Sequence, residues 1–265
     1  MDFNNRTGLI LAAGFGSRLA GSTGSTDLKP LTPVNGIPLI FRTIRSLSIA
    51  GCDQICIVLG YKSDEIRNEI QNNYHGKIPL HFVTNDRFDL KNGVSVLAAS
   101  EYLTDTFIMT MADHVLGDKV MKLAGSHEPP DNGATLLVDY KLDSIFDMDD
   151  ATKVLTDQDG RINSIGKHIT NYNCIDTGVF VCTHGLVKAL QDFYKKNGDV
   201  SLSEGVQHLA KTGKMNTLDV EDGFWQDVDT PEMLAYAEMW LANKHQLKPA
   251  YPKVSLASEF KHFIT

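Results

Sequence analysis

The sequence predicts an α/β fold built on a mixed, mostly parallel sheet with helices on both faces. Three observations predict it. A largely apolar hexapeptide, Thr7 to Ala12, runs straight into a glycine-rich turn; strand-like and helix-like segments then alternate up to Asp113; and from Ala134 the pattern changes to short strands joined by turn residues.

The apolar run at Thr7 to Ala12 suits a buried strand, and Gly14 and Gly16 let the chain turn sharply at its end. Residues 37–50 carry apolar side chains at helical spacing and stop at Gly51, after which Gln54 to Leu59 is a second buried strand. Residues 64–74 read as an amphipathic helix, Leu80 to Thr84 as a strand, 94–103 as a helix, and Thr106 to Met111 as a strand that delivers Asp113. In such a sheet ligands gather at the carboxyl ends of the strands, which places residues 14–29, 92–95 and Asp113 along one edge. Shorter strands follow at residues 134–140, 153–156, 162–165 and 177–182, with turn chemistry such as Asp159-Gly160, and suggest a sheet extension over the ligand. Helices are expected over 186–197, 200–212 and 231–244, the last capped by Thr230 with Pro231 at its first position.

At 265 residues the chain is long enough for one large core. Its net charge of −8 weighs against a protein that tracks a nucleic-acid backbone, since that work needs a basic stripe. A small phosphorylated ligand is still compatible, because a few local cations neutralise it whatever the global charge. Cys52, Cys56, Cys174 and Cys182 lack zinc-site spacing and are expected to be reduced and mostly buried. With no signal-like N-terminus and no apolar run of membrane-spanning length, a cytoplasmic, soluble protein is expected.

In the first loop the backbone N–H groups around Gly14 and Gly16 can approach a triphosphate, and Arg18 supplies a forked cation. Gly-x-Gly alone reads better as a tight strand-to-helix turn, and the segment matches neither a P-loop nor a dinucleotide fingerprint. Asp113 leaves an apolar strand at the ligand edge, where a hard oxygen suits a magnesium ion, although a helix-capping role is the alternative. Asp227 and Asp229 precede the last helix as two candidates for another metal ligand, expected to point to opposite sides of an extended segment. At Asn92, Gly93 and Ser95 the sequence allows both an ordinary helix entry and contact with a base edge.

The compound pattern Gly14-x-Gly16-x-Arg18-Leu19 followed by Lys29-Pro30 resembles the signature of nucleotidyltransferases that make sugar nucleotides and related CDP or UDP compounds. The segments 147–154, 160–167, 172–180 and 227–232, with Met111-Ala112-Asp113-His114, are similar to the CTP:inositol-1-phosphate cytidylyltransferases, and the likeness covers residues 7–241. It implies a Rossmann-like sheet of the nucleotide-diphospho-sugar transferase type with a small β extension over the acceptor. It further implies a single domain over residues 1–245, with a nucleotide part at 7–130, an acceptor part at 131–230, and a tail at 246–265. The implied nucleotide-binding residues are Leu11, Ala12, Ala13, Gly14, Gly16, Ser17, Asn92, Gly93, Ser95 and Ala112, with Mg2+ on Asp113 and Asp229 or Asp227. Arg18 and Lys29 would clamp the triphosphate and Lys153 would face the acceptor phosphate, whereas its alternative is a surface cation on a hairpin. The implied acceptor-binding residues are Asp150, Asp176, Thr177, Gly178 and Glu204, of which the three acids would bind a polyol or an ammonium group equally well. Many inositol-phosphate enzymes continue into a membrane-embedded domain, whereas here a soluble tail is expected. The implied reaction is attack of a phosphate or phosphonate oxygen on the α-phosphorus of CTP. The acceptor is then an inositol-1-phosphate-like polyol phosphate, with phosphocholine, 2-aminoethylphosphonate or a sugar 1-phosphate as alternatives. A silent nucleotide-binding regulatory subunit is the non-enzyme alternative, and the reading leaves room for a homodimer.

Overall fold

The computed structural model describes residues 5–16 and 28–246. Strand β1 (Thr7–Ala12) is buried along its whole length, because helices cover both faces of its sheet. Strand alternation divides its side chains: Leu9 and Leu11 enter one core, Ile10 and Ala12 the other. A small hairpin, β2 (Pro33–Val34) and β3 (Ile37–Pro38), then leads into helix α1 (Leu39–Ile49), which buries Leu39, Ile40, Ile44 and Leu47. Next come β4 (Gln54–Leu59), α2 (Ser63–Asn73), β5 (Leu80–Thr84), α3 (Gly93–Ala98) and β6 (Thr106–Met111). Strands β6, β1, β4 and β5 lie side by side in parallel, so their carboxyl ends share one edge, as the sequence predicts. Helix α3 is shorter than expected. The Ala99 N–H is shared between the carbonyls of Val96 and Leu97, and the chain tightens into a 3-10 turn at Ser100–Tyr102 before entering β6.

The second half contains β7 (His114–Leu116), α4 (Asp118–Ser126), β8 (Ala134–Asp139), β9 (Lys153–Thr156), β10 (Ile162–Gly166) and β11 (Cys174–Thr183). It continues with α5 (His184–Asn197), α6 (Leu202–Lys211), β12 (Met215–Asp219), β13 (Trp225–Asp227) and α7 (Pro231–Gln246). Strand β11 joins the halves. Residues 180–183 pair antiparallel with β6, its other edge pairs with β8, and its first residues pair with β9, whose hairpin with β10 forms the expected extension. The register against β8 shifts between Asp176 and Phe180, a bulge of the kind that re-aims side chains beside a site.

The antiparallel pairing of β13 with β7 sets Asp227 opposite His114, and the Val228 N–H donates to the Asp113 carbonyl at 2.9 Å. This pairing brings acids more than a hundred residues apart in sequence to one place. Helix α7 then starts as expected, with the Met233 N–H donating to Thr230 Oγ1 at 3.3 Å. The four cysteines are buried and unpaired. No helix among the described residues is long and apolar enough to cross a membrane.

Candidate functional site

Lys29 opens a short 3-10 turn, Lys29–Leu31, directly beneath the glycine-rich loop. Gly16 has φ +63°, and a Cβ there would lie 2.5 Å from Lys29 Cβ, so the loop rests on the lysine stem and tolerates no side chain at that position. The Lys29 ammonium sits between two carboxylates, donating to Asp113 Oδ2 at 2.6 Å and to Asp229 Oδ1. Burial alone would lower the lysine pKa, yet the charges of Asp113 and Asp229 outweigh it and hold the group above its ordinary value. For Asp113 burial pushes upward, but Lys29 and His114 carry the carboxyl well below the usual range. Lysine and Asp113 are therefore both charged at neutral pH.

His114 Nδ1 lies 2.6 Å from Asp113 Oδ1, and its ring stacks with Trp225 at 6.4 Å between centroids. Behind it Gly178, with φ +73°, leaves no room for a Cβ, which would fall 2.5 Å from His114 Nε2. The histidine is thus wedged between strand β11 and the Asp113 carboxylate, shaping the site. Asp227 and Asp229 do not face opposite ways. Residues two apart in an extended segment share a side, and both line the same cleft. Asp227 accepts from Gln226 Nε2 at 3.0 Å, and burial holds its carboxyl above the ordinary value.

Two adjoining cavities meet at these acids. The smaller, about 340 Å³, lies under the loop against Leu11, Ala12, Gly14, Gly16, Lys29 and Ala112. The larger, about 600 Å³, runs from Leu11, Ala13, Gly14, Asn92 and Ser95 across to the β9–β10 extension. Asp113 and Asp229 line both. Gly93 faces neither; a Cβ there would lie 2.6 Å from the Val200 carbonyl oxygen, so its part is close packing against the chain leading into α6. Ser17 and Arg18 lie outside the described residues.

On the acceptor side Asp150, Asp176 and Gly178 line the large cleft, and three other expectations need correction. Lys153 is neither a surface cation nor a cleft residue. It is buried, and its ammonium donates to the carbonyls of Met148 at 2.7 Å, Lys167 at 3.1 Å and Ala151 at 3.3 Å, which exhausts its donors on the backbone of the extension. Thr177 is fully buried with its hydroxyl on the Leu137 carbonyl at 2.7 Å. Glu204 closes a capping box with Ser201 at the start of α6 and pairs with Lys91. Lys153→Met is expected to destabilise by about 2–3 kcal/mol, because three carbonyls lose the donor that ties them together. Thermal unfolding checks this, and the Michaelis constants of the active variant should stay within about threefold of the original.

The sequence reading missed Lys167, which lines the cleft and pairs with Asp150 at 2.6 Å, and Asp139, which is buried and accepts from Trp225 Nε1 at 2.8 Å. It also missed an aromatic wall: Phe146 packs on Tyr236 at 5.3 Å, Tyr236 on Phe224 at 6.1 Å, and Phe224 stacks on Trp240 at 3.8 Å. Asp176 accepts from the Gly178 N–H at 2.7 Å, yet burial raises its pKa to about 6. A raised carboxyl pKa makes the folded state bind a proton between the unfolded value and about pH 6, so this group's charge costs stability above that window. Asp176→Asn is therefore expected to raise Tm by about 2–4 °C at pH 8 relative to the unaltered protein, with the difference fading by about pH 4.

Several known proteins are similar to this chain. The bifunctional IPC transferase and DIPP synthase of Archaeoglobus fulgidus is 31% identical over 224 residues, covering 84% of this chain and 41% of that protein. Its counterpart in Aquifex aeolicus is 30% identical over 237 residues, covering 89% of this chain and 51% of that protein. The chain thus spans about half the length of these curated relatives or less. The solved inositol-1-phosphate CTP transferase of T. maritima superimposes with a TM-score of 0.78 at 26% identity, over 93% of this chain and 98% of that one. A putative glucose-1-phosphate thymidylyltransferase from Bacillus anthracis shares the fold, with a TM-score of 0.73 at 18% identity and the same coverage of both chains. Residues 8–141, from the first strand through the loop, Lys29, Asp113 and β8, match the MobA-like NTP transferase domain, and the chain belongs to that family.

Proposed function

We propose that the protein is a cytidylyltransferase that transfers CMP from CTP to a small phosphorylated polyol of the inositol-1-phosphate type, releasing pyrophosphate. The observation that carries this reading is the meeting of Lys29, Asp113 and Asp229 at the junction of the two cavities. Support for the substrates comes from the T. maritima relative, whose name specifies inositol 1-phosphate and CTP.

The triphosphate would lie in the smaller cavity under the loop N–H groups, with Arg18 and Lys29 as its cations. The nucleoside would extend past Ala13 toward Asn92 and Ser95. In the larger cavity the acceptor phosphate would approach Lys167, whose pairing with Asp150 is partly exposed and so readily exchanged for a phosphate. Its oxygen is ionised at neutral pH, so in-line attack on the α-phosphorus needs no general base, and the bond to the leaving pyrophosphate breaks as the new P–O bond forms. The work of the chain is to align the two anions and oppose their charge.

Two carboxylates converging on one cation also fit Mg2+, which takes one or two protein carboxylates and completes its shell with phosphate and water. When bound, the ion supplies charge neutralisation on the phosphates. Asp113 and Asp229 would hold it, and Lys29 would swing from the carboxylates to the triphosphate.

The aromatic wall with Asp147 and Asp222 in the same cleft supports a second reading, an acceptor carrying an ammonium group such as phosphocholine or 2-aminoethylphosphonate. Pyrophosphate release measured for each nucleoside triphosphate against inositol 1-phosphate, phosphocholine, 2-aminoethylphosphonate and glucose 1-phosphate separates the two. The first reading predicts the highest kcat/KM for CTP with inositol 1-phosphate. Release with no pair would overturn both.

A further inference from the structure

At the nucleoside end of the large cleft two polar side chains are turned the same way by hydrogen bonds behind them. Asn85, just past the end of β5, is buried, and its amide orientation is fixed: the Arg87 N–H donates to Asn85 Oδ1 at 2.9 Å, so Nδ2 faces Ser95 Oγ at 3.0 Å. Ser95, equally buried, therefore accepts from the protein, and among the described residues its hydroxyl hydrogen meets no acceptor. Asn92 is oriented in the same sense, because its Oδ1 accepts from the Leu202 N–H at 2.9 Å and its Nδ2 is left to face outward. Both side chains line the cleft. The polar pair at this end thus presents donors, with its oxygen atoms engaged by the protein.

The Watson–Crick edge of cytosine carries two adjacent acceptors, O2 and N3. Uracil has an N–H at position 3, which would meet a donor and stay unpaired, a costly arrangement in a buried contact. We propose that Asn85 is a positioning residue that holds the Ser95 hydroxyl as a hydrogen-bond donor, with Asn92 beside it, and thereby sets the preference for cytosine over uracil. This deepens the cytidylyltransferase reading and rests on its placement of the nucleoside.

The test exchanges the polarity of the amide. In Asn85→Asp the backbone N–H of Arg87 keeps its acceptor, but the atom facing Ser95 becomes an acceptor. The serine then turns its hydrogen inward and offers lone pairs to the base. Affinities for CTP and UTP are measured by titration calorimetry with Mg2+, and kcat/KM for both by pyrophosphate release. The CTP-to-UTP ratio is expected to fall by at least about tenfold in Asn85→Asp, through loss of CTP binding with UTP binding kept or improved. Ser95→Ala, which changes no buried charge, is expected to lower the ratio in the same direction and decides the matter if the first variant does not fold. An unaltered protein that binds UTP as well as CTP overturns the proposal, as does a loss shared equally by both nucleotides in Ser95→Ala. Cytosine-selective binding without pyrophosphate release from any acceptor would instead leave this inference standing and remove the transferase reading.

Discussion

Lys29→Met is expected to lower turnover by about 10²–10³-fold, the scale of losing one preorganised charge contact to a transition state. The same change acts on the free protein in a way that a general folding defect would not reproduce. Without the ammonium, Asp113 and Asp229 lose the cation that pairs with both, so the variant should unfold at lower temperature in the presence of a chelator. Adding Mg2+ should then raise its Tm by more than it raises that of the unaltered protein, because the metal no longer competes with a lysine for the two carboxylates. Steady-state pyrophosphate release and thermal unfolding at graded Mg2+ check the two halves. Near-normal turnover in Lys29→Met would remove the loop and its lysine from the proposed chemistry.

Asp113→Asn is the second large effect. This carboxylate touches both Lys29 and His114 and is kept ionised by them, so neutralising it removes the proposed metal ligand and a counter-charge together. A loss of about 10³-fold in kcat/KM is expected, equivalent to several kcal/mol of charge stabilisation. Asp227→Asn should cost at most about tenfold, since an amide can still accept the hydrogen bond from Gln226 Nε2. If Asp227→Asn proved as damaging as Asp113→Asn and Asp229→Asn proved mild, the second metal-ligand role would pass from Asp229 to Asp227.

The parallel half of the sheet was legible because it is written locally. Gly8 to Ala12 is apolar throughout, and a glycine turn followed by Lys29-Pro30 fixes where the chain must bend and which cation sits beneath the bend. Two further features were legible but overlooked. Ser201-x-x-Glu204 is the sequence signature of a capping box, which gives Glu204 a partner other than a substrate. Val120, Met121 and Ala124 lie at helical spacing and form the buried stripe of α4.

The acceptor side could not be read in the same way, because its contacts are made by pairings between distant strands. Lys153 is buried only because the hairpin of β9 and β10 folds the Lys167 carbonyl back toward it while Met148 and Ala151 close from the preceding turn. That closure also puts the Lys167 side chain on the cleft wall, where Lys153 was expected. The aromatic wall is assembled from Phe146, from Phe224 before β13 and from Tyr236 and Trp240 on α7, segments with no shared periodicity. Asp176 reaches the cleft at a bulge beside Gly178, where His114 on another strand leaves no room for a Cβ.

The central claim is that a bond forms at the α-phosphorus of CTP. Incubation of the protein with CTP labelled at that phosphorus, Mg2+ and inositol 1-phosphate tests it most directly. The label is expected to move into a CDP-linked product in step with pyrophosphate release, and both processes to be lost together in Lys29→Met. Release of inorganic phosphate with the label left in CDP, or label confined to unreacted CTP for every acceptor supplied, would contradict it.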